Sequence, residues 1–208
     1  MRARELRLGA LILAAGAGSR FSPEPGAKLL AELDRLSLLD HVLGAVRAAD
    51  VAEIVVVLGY GADAIERAMA WQGERRVRNP APERGMGSSL KVGIEALEPH
   101  ADELDGAFIV LGDQPRLRTE VLSALADAAA RARPADRPLV VPRYAADVGP
   151  RNPVLLLRPA WLLVDELDDE RGLGPFIDRH PDMVQTVEVG GSMPDVDTPT
   201  DLDALRRL

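Results

Sequence analysis

Apolar and polar positions alternate between two periods along this chain, one of strands and one of helices. An unbroken apolar run from Leu8 to Ala15 predicts a strand buried on both faces, as in a parallel sheet. Ser37 to Ala48 then places Leu38, Val42, Ala45 and Val46 on one face of a helix that ends near Asp50. Glu53 to Gly59 predicts a second buried strand, Asp63 to Trp71 a helix and Arg75 to Arg78 a short strand. Ser88 to Leu97 predicts a helix with Leu90, Ile94 and Leu97 in register and Ser88 as its N-cap. Ala107 to Gly112 is the third strong strand, and Thr119 to Arg131 is an alanine-rich helix closed by Pro134 and Pro138. Beyond that the rhythm loosens. Leu139-Val140-Val141 and Val154 to Leu157 predict strands with Pro142 and Pro153 at their ends. Pro159 to Leu167 and Leu173 to His180 predict helices, and Met183 to Val189 alternates as a half-exposed strand does. Thr198-Pro199-Thr200-Asp201 opens a last helix with a capping-box pattern and proline at its first position. Strands and helices in turn predict an α/β sandwich with a mostly parallel sheet, whose ligands sit beyond the carboxyl ends of the strands.

Bulk composition narrows the class. The 208 residues suffice for one domain, taken as 1–208, with no linker that argues for two, and 47% of them are hydrophobic. A formal net charge of −8 argues against a nucleic-acid surface. An anionic substrate must therefore be held by local cations or a metal. The absence of cysteine removes disulfides, thiol nucleophiles and thiolate metal sites. The three histidines, His41, His100 and His180, lie too far apart for zinc-ligand spacing. Arg2, Arg4 and Arg7 before an apolar run have the look of a secretory signal, but Glu5 interrupts the basic region and the run is short for one. With no run near the roughly 20 apolar residues of a membrane span, the expectation is a cytoplasmic protein that uses neither membrane nor nucleic acid.

Five stretches could carry chemistry. The first strand ends in Gly16-Ala17-Gly18, where a backbone without Cβ atoms can curl and present N–H groups to an anion, and Arg20 and Lys28 follow. No Walker A string occurs. Phe21 stands where a dinucleotide fingerprint needs its third glycine, and Pro23, Pro25 and Gly26 forbid the helix that fingerprint requires. The loop is thus a candidate for a triphosphate; an ordinary strand-to-loop corner is its other use. Asp113, after the third strand and Gly112, suits a magnesium ligand, or a turn aspartate bonding its own backbone. Asp197 lies on the same side of an extended segment as Asp195 and is not needed for the helix cap. It could share that magnesium, or sit as one more carboxylate at a positive helix end. In Asn79 to Ser89, the glycines around Ser88 could bring N–H groups to a flat polar ligand and Asn79 could read a base edge; a loop and cap without ligand is the alternative. Gly149-Pro150-Arg151-Asn152-Pro153 could line an acceptor side, or form a turn before an edge strand.

Together these segments resemble the MobA-like nucleotidyltransferases. Those that carry the likeness are Leu13 to Phe21 with Lys28, Asn79-Pro80 with Gly85 to Ser89, Leu111 to Pro115, Asn152-Pro153 and Asp195 to Pro199. They run in order from about residue 8 to 206. Within that family the chain is similar to the molybdenum cofactor cytidylyltransferase branch, through Leu13-Ala14-Ala15-Gly16. The resemblance implies a three-layer nucleotidyltransferase fold, of the nucleotide-diphospho-sugar transferase kind, with a mixed, mainly parallel sheet. It implies an NTP (CTP on that motif), magnesium and a phosphorylated small-molecule acceptor such as molybdopterin, with pyrophosphate released and a molybdoenzyme as eventual recipient. By the same carry-over Ala14, Ala15, Gly16, Gly18, Arg20 and Lys28 meet the nucleotide's tail, Asp113 and Asp197 hold magnesium, and Asn79, Gly87 and Ser88 lie by the base. One departure stands out: Phe21 to Gly26 lengthens the gap between Arg20 and Lys28, so the lysine is expected at a different angle. A relative with another acceptor or a redox substrate, or a delivery module that binds without catalysing, are the competing expectations.

Overall fold

The computed structural model describes residues 5–100, 103–132, 137–145, 152–167 and 169–207. Its strands are β1 (Leu8–Ala14), β2 (Glu32–Leu33), β3 (Leu36–Ser37), β4 (Glu53–Leu58), β5 (Arg75–Arg78), β6 (Gly106–Leu111), β7 (Leu139–Tyr144), β8 (Val154–Leu157) and β9 (Val184–Val189). Its α-helices are α1 (Ala27–Leu30), α2 (Leu38–Arg47), α3 (Ala62–Ala68), α4 (Met86–Leu97), α5 (Thr119–Arg131), α6 (Gly174–Arg179) and α7 (Pro199–Leu205). Seven strands form one sheet in the order β5-β4-β1-β6-β8-β7-β9, and β2 and β3 pair as a separate small ribbon. The sheet is parallel from β5 to β6; β8 runs against both neighbours, and β9 is again parallel to β7.

The apolar run of β1 explains the layering. Leu8, Ala10, Ile12 and Ala14 pack into one core with Leu39, Val42 and Leu43 of α2 and Val121, Leu122 and Leu125 of α5. Leu11 and Leu13 face the other way, toward Leu90, Ile94 and Leu97 of α4 and Trp161, Phe176 and Ile177. Period-two alternation thus feeds two cores from one strand, giving three layers with the sheet in the middle. From β1 the chain winds outward to β4 and β5, then returns to place β6 on the other side of β1. The crevice between the carboxyl ends of β1 and β6 is therefore the point where the strand order reverses, the usual seat of ligands in such sheets.

Four local expectations need correction. Ser88 does not cap α4: the helix starts two residues earlier, with Gly85 at φ 108° as its N-cap. Residues 158–166 coil as a 3₁₀ helix rather than an α-helix. Helix α3 stops at Ala68, and the Trp71 indole donates to the Glu66 carbonyl at 3.1 Å. Strand β7 runs through Pro142 to Tyr144. Its pairing with β8 covers Leu139 and Val140, so the proline lies beyond the rungs that would need its missing N–H. Helix α1 and the β2–β3 ribbon are additional to the expected elements, too short to show a period. Pro134 and residues 149–151, to which stop and acceptor roles were assigned, lie outside the described residues.

Candidate functional site

Beyond β1 the chain turns through Gly16 and Gly18. Gly18 has φ +63°, and the Phe21 and Ser22 amides both donate to its carbonyl, at 2.8 and 3.1 Å. A Cβ at Gly18 would stand 3.1 Å from the Lys28 Cβ, so the lysine stem runs directly beneath the loop. The long Phe21–Gly26 insertion packs on the turn after β4: Gly26, at φ +85°, starts α1 and lies against Gly61, where a Cβ would lie 2.4 Å from the Pro25 carbonyl oxygen. Helix α1 buries Leu29 and returns Lys28 to the end of β6.

There Lys28 meets both candidate metal acids. Its Nζ lies 2.5 Å from Asp113 Oδ2 and 3.6 Å from Asp197 Oδ1, with 13% of the lysine side chain exposed. The Arg20 guanidinium pairs with the other Asp197 oxygen at 2.9 Å. The acids come from distant parts of the chain and are tied by backbone: the Val196 amide donates to the Asp113 carbonyl at 3.1 Å. Val196 itself is buried with Leu33, Leu38, Leu202 and Leu205, and α7 leaves from a complete capping box of Thr198 and Asp201. A further carboxyl, Asp195, accepts from Gln114 Nε2 at 2.5 Å, and Gln114 is fully buried. Burial pushes the Asp195 carboxyl above the ordinary carboxylate range; Gln114 opposes this, while Asp113 and Asp197 add to it. The donor set suits a hard divalent cation, since two carboxylates converge on one point that a positive charge already occupies. Among the described residues no group of three or more acids or histidines forms a cage. Water and phosphate oxygens would complete such an ion's shell, as is usual for magnesium.

On the other side of the crevice the same kind of residues does something different. Asn79 is 5% exposed; its amide donates to Ser88 Oγ at 2.8 Å and Ser89 Oγ at 2.9 Å, and its carbonyl oxygen accepts from the Ala81 amide at 2.9 Å. Ser88 Oγ in turn donates to the Gly85 carbonyl at 2.7 Å. The Gly87 and Ser88 amides, expected to be open to a ligand, donate to the Asp169 carbonyl at 2.7 and 3.3 Å. The Asp169 carboxylate pairs with Lys91 at 2.8 Å and with Arg84, and the Lys91 hydrogen bond in particular holds it below the usual carboxylate range. Gly85 lets this wall close in, since a Cβ there would lie 2.6 Å from the Glu170 Cα.

Two cavities open along the crevice. One, of about 520 Å³, is lined by Ala15, Gly16, Tyr60, Glu83, Asp113 and Glu170. The other, of about 420 Å³, is lined by Leu90, Ile109, Asn152, Arg171, Leu173 and Asp178. Leu13, Met86 and Leu111 border both, so the two are halves of one cleft. Asn152 and Pro153 are the described part of the expected acceptor turn, and Asn152 does reach the second half. Asp169 to Gly172 carry no expected role in the sequence, and Leu173 to Asp178 only a helical one; the one signal of the former is a charged, glycine-ended stretch between two apolar helical patterns.

Comparison with known proteins follows the same outline. Residues 10–184 match the family model of the MobA-like NTP transferase domain. The crystal structure of Rv0371c from Mycobacterium tuberculosis H37Rv superimposes with a TM-score of 0.82 at 28% identity, covering 99% of this chain and 100% of that one. The structure of Rv0371c in complex with manganese gives a TM-score of 0.79 at 26% identity, over 97% and 98% of the two chains. The bifunctional protein GlmU of Sorangium cellulosum is 36% identical over 132 residues, 60% of this chain but 27% of GlmU. The chain thus spans about a quarter of the length of the curated relatives it matches.

Proposed function

The chain belongs to the MobA-like NTP transferase family, and from that premise we propose that it is a divalent-metal-dependent nucleotidyltransferase. The observation that carries this reading is the meeting of Lys28 with Asp113 and Asp197 under the Gly16–Gly18 loop, at the reversal point of the sheet. The nucleotide's tail lies against that loop, with Ala14, Ala15, Gly16 and Gly18 allowing close approach and Arg20 and Lys28 supplying positive charge. The nucleoside end occupies the half of the cleft beside Ser89 and Glu83; Asn79, Gly87 and Ser88 shape that half from behind. The acceptor occupies the half lined by Asn152 and Arg171.

An acceptor phosphate oxygen attacks the α-phosphorus. The bond from that phosphorus to the bridging oxygen breaks, and pyrophosphate leaves with the electron pair. Arg20 and Lys28 hold the charge that gathers on it, which is where oriented charges contribute most. Magnesium on Asp113 and Asp197 supplies charge neutralisation at the phosphate oxygens. No protein nucleophile or strong base is called for, in keeping with a chain that has no cysteine. The Leu13-Ala14-Ala15-Gly16 motif favours CTP as the donor and molybdopterin as the acceptor.

A pyrophosphate-release assay with molybdopterin against all four NTPs, with and without magnesium, tests the reading. Magnesium-dependent release, fastest with CTP, is the expected result. Release with another NTP or another phosphorylated acceptor would keep the transferase and move its specificity. Nucleotide binding without pyrophosphate release would make the protein a delivery module instead.

A further inference from the structure

Lys28 stands where a metal ion would be expected. A divalent cation shared by Asp113 and Asp197 would approach each carboxylate oxygen to about 2.0–2.1 Å, and the ammonium at 2.5 Å from Asp113 and 3.6 Å from Asp197 fills that space. Two cations cannot share it. A Cβ at Gly18 would lie 3.1 Å from Lys28 Cβ and 3.7 Å from its Cε, so the lysine stem passes beside the loop as well as the two carboxylates. Arg20 pairs with the other oxygen of Asp197.

We propose that Lys28 is a positioning residue with two stations: it is the resting counter-ion that keeps Asp113 and Asp197 converged, and it yields them to the metal as the nucleotide's tail draws it away. The inference rests on the metal and phosphate roles given under the proposed function. Left without a cation, the two carboxylates repel each other across the point they share, and Asp195 lies close behind them. With Lys28 in place the corner is neutralised and ordered, but metal alone must compete with a tethered ammonium. Metal and nucleotide therefore favour each other's binding, and by linkage the preference is mutual. The lysine that metal displaces is the same one that the triphosphate needs.

Titration of the full chain with Mn2+, followed by the loss of free-ion EPR signal and with no nucleotide present, tests this directly. Lys28→Met is expected to bind Mn2+ about tenfold more tightly than the wild type, the low end of what an adjacent opposite charge does to a carboxylate. Lys28→Gln serves as the second variant should methionine disturb the fold, with circular dichroism as the check. The double variant Lys28→Met/Asp113→Asn is expected to lose the gain. Equal or weaker Mn2+ binding in both single variants would overturn the two-station role. If magnesium-dependent pyrophosphate release persisted in the wild type beside that result, the proposed function would stand without it. Absence of Mn2+ binding in every variant would remove the metal site and this inference together.

Discussion

The two walls of the crevice begin from similar residues and end in different chemistry. On the β1–β6 side, Arg20, Lys28, Asp113 and Asp197 are partly exposed charges whose partners are one another. On the α4 side, Asn79, Ser88 and the first helical amides are buried or covered, and each is bonded to protein. A charge that leaves one opposite charge for another stays compensated, so a metal or a phosphate can replace the present partners of these groups. A buried amide with every donor and acceptor satisfied cannot exchange partners so, because breaking the set leaves an unpaired polar group out of water. The difference teaches that residue type nominates a ligand group, but the exchangeability of its present partner decides whether it can serve as one.

The largest expected effect lies on the exchangeable wall. Asp113→Ala should slow pyrophosphate release at saturating magnesium by at least about 100-fold, or about 2.7 kcal/mol of barrier. Turnover within about threefold of wild type would mean that this carboxylate holds no metal. The opposite wall should respond through stability. Asn79→Ala, which removes three hydrogen bonds, should cost about 2–3 kcal/mol and lower the thermal midpoint by roughly 5–10 °C, with the ranking of the four NTPs unchanged. A steady midpoint with an altered NTP ranking would show instead that the amide reads the base, and the contrast between the walls would fail.

A smaller change should come from Gly18→Ala. It puts a side chain at φ +63° and 3.1 Å from the Lys28 Cβ, at a conformational cost of about 1–2 kcal/mol. The KM for NTP should rise about tenfold, equivalent to about 1.4 kcal/mol, and the same strain should lower the midpoint by roughly 2–8 °C. Smallest of all is Asp169→Asn. Its pairs with Lys91 and Arg84 are only partly exposed, but asparagine keeps a carbonyl oxygen that can accept from both, so the midpoint at neutral pH should fall by roughly a degree or two. Because this carboxyl is held low in the folded chain, its contribution exists above the ordinary carboxylate value and is lost as pH falls through the lowered one. The gap between variant and wild type should therefore close in acid, as thermal melts across pH would show.

Much of this architecture is legible in the chain. The run from Leu8 to Ala15, the stripe of α2 and the Thr198–Asp201 cap each carry their signal within one element, and the structure forms them close to where the pattern puts them. Elements of two to four residues, such as α1 and the β2–β3 ribbon, are shorter than any period and owe their shape to contacts such as Leu29 and Leu33 in the cores. The α4 start was misread for a related reason. A serine three residues into a helix and a serine at its cap look alike in sequence, and Gly85 became the cap because the Glu170 backbone leaves no room for a Cβ.

What the sequence by itself determined is the alternation of buried strands and amphipathic helices and the presence of glycines, cations and acids at strand ends, since both depend on neighbours within a few residues. Which acids meet, and which polar groups remain able to exchange partners, was decided by tertiary structure alone. Lys28 reaches Asp113 across 85 positions of chain, and Asp169 covers the α4 amides from as far away. Electrostatic and hydrogen-bond energies depend on distance and burial in space, and no local pattern encodes either.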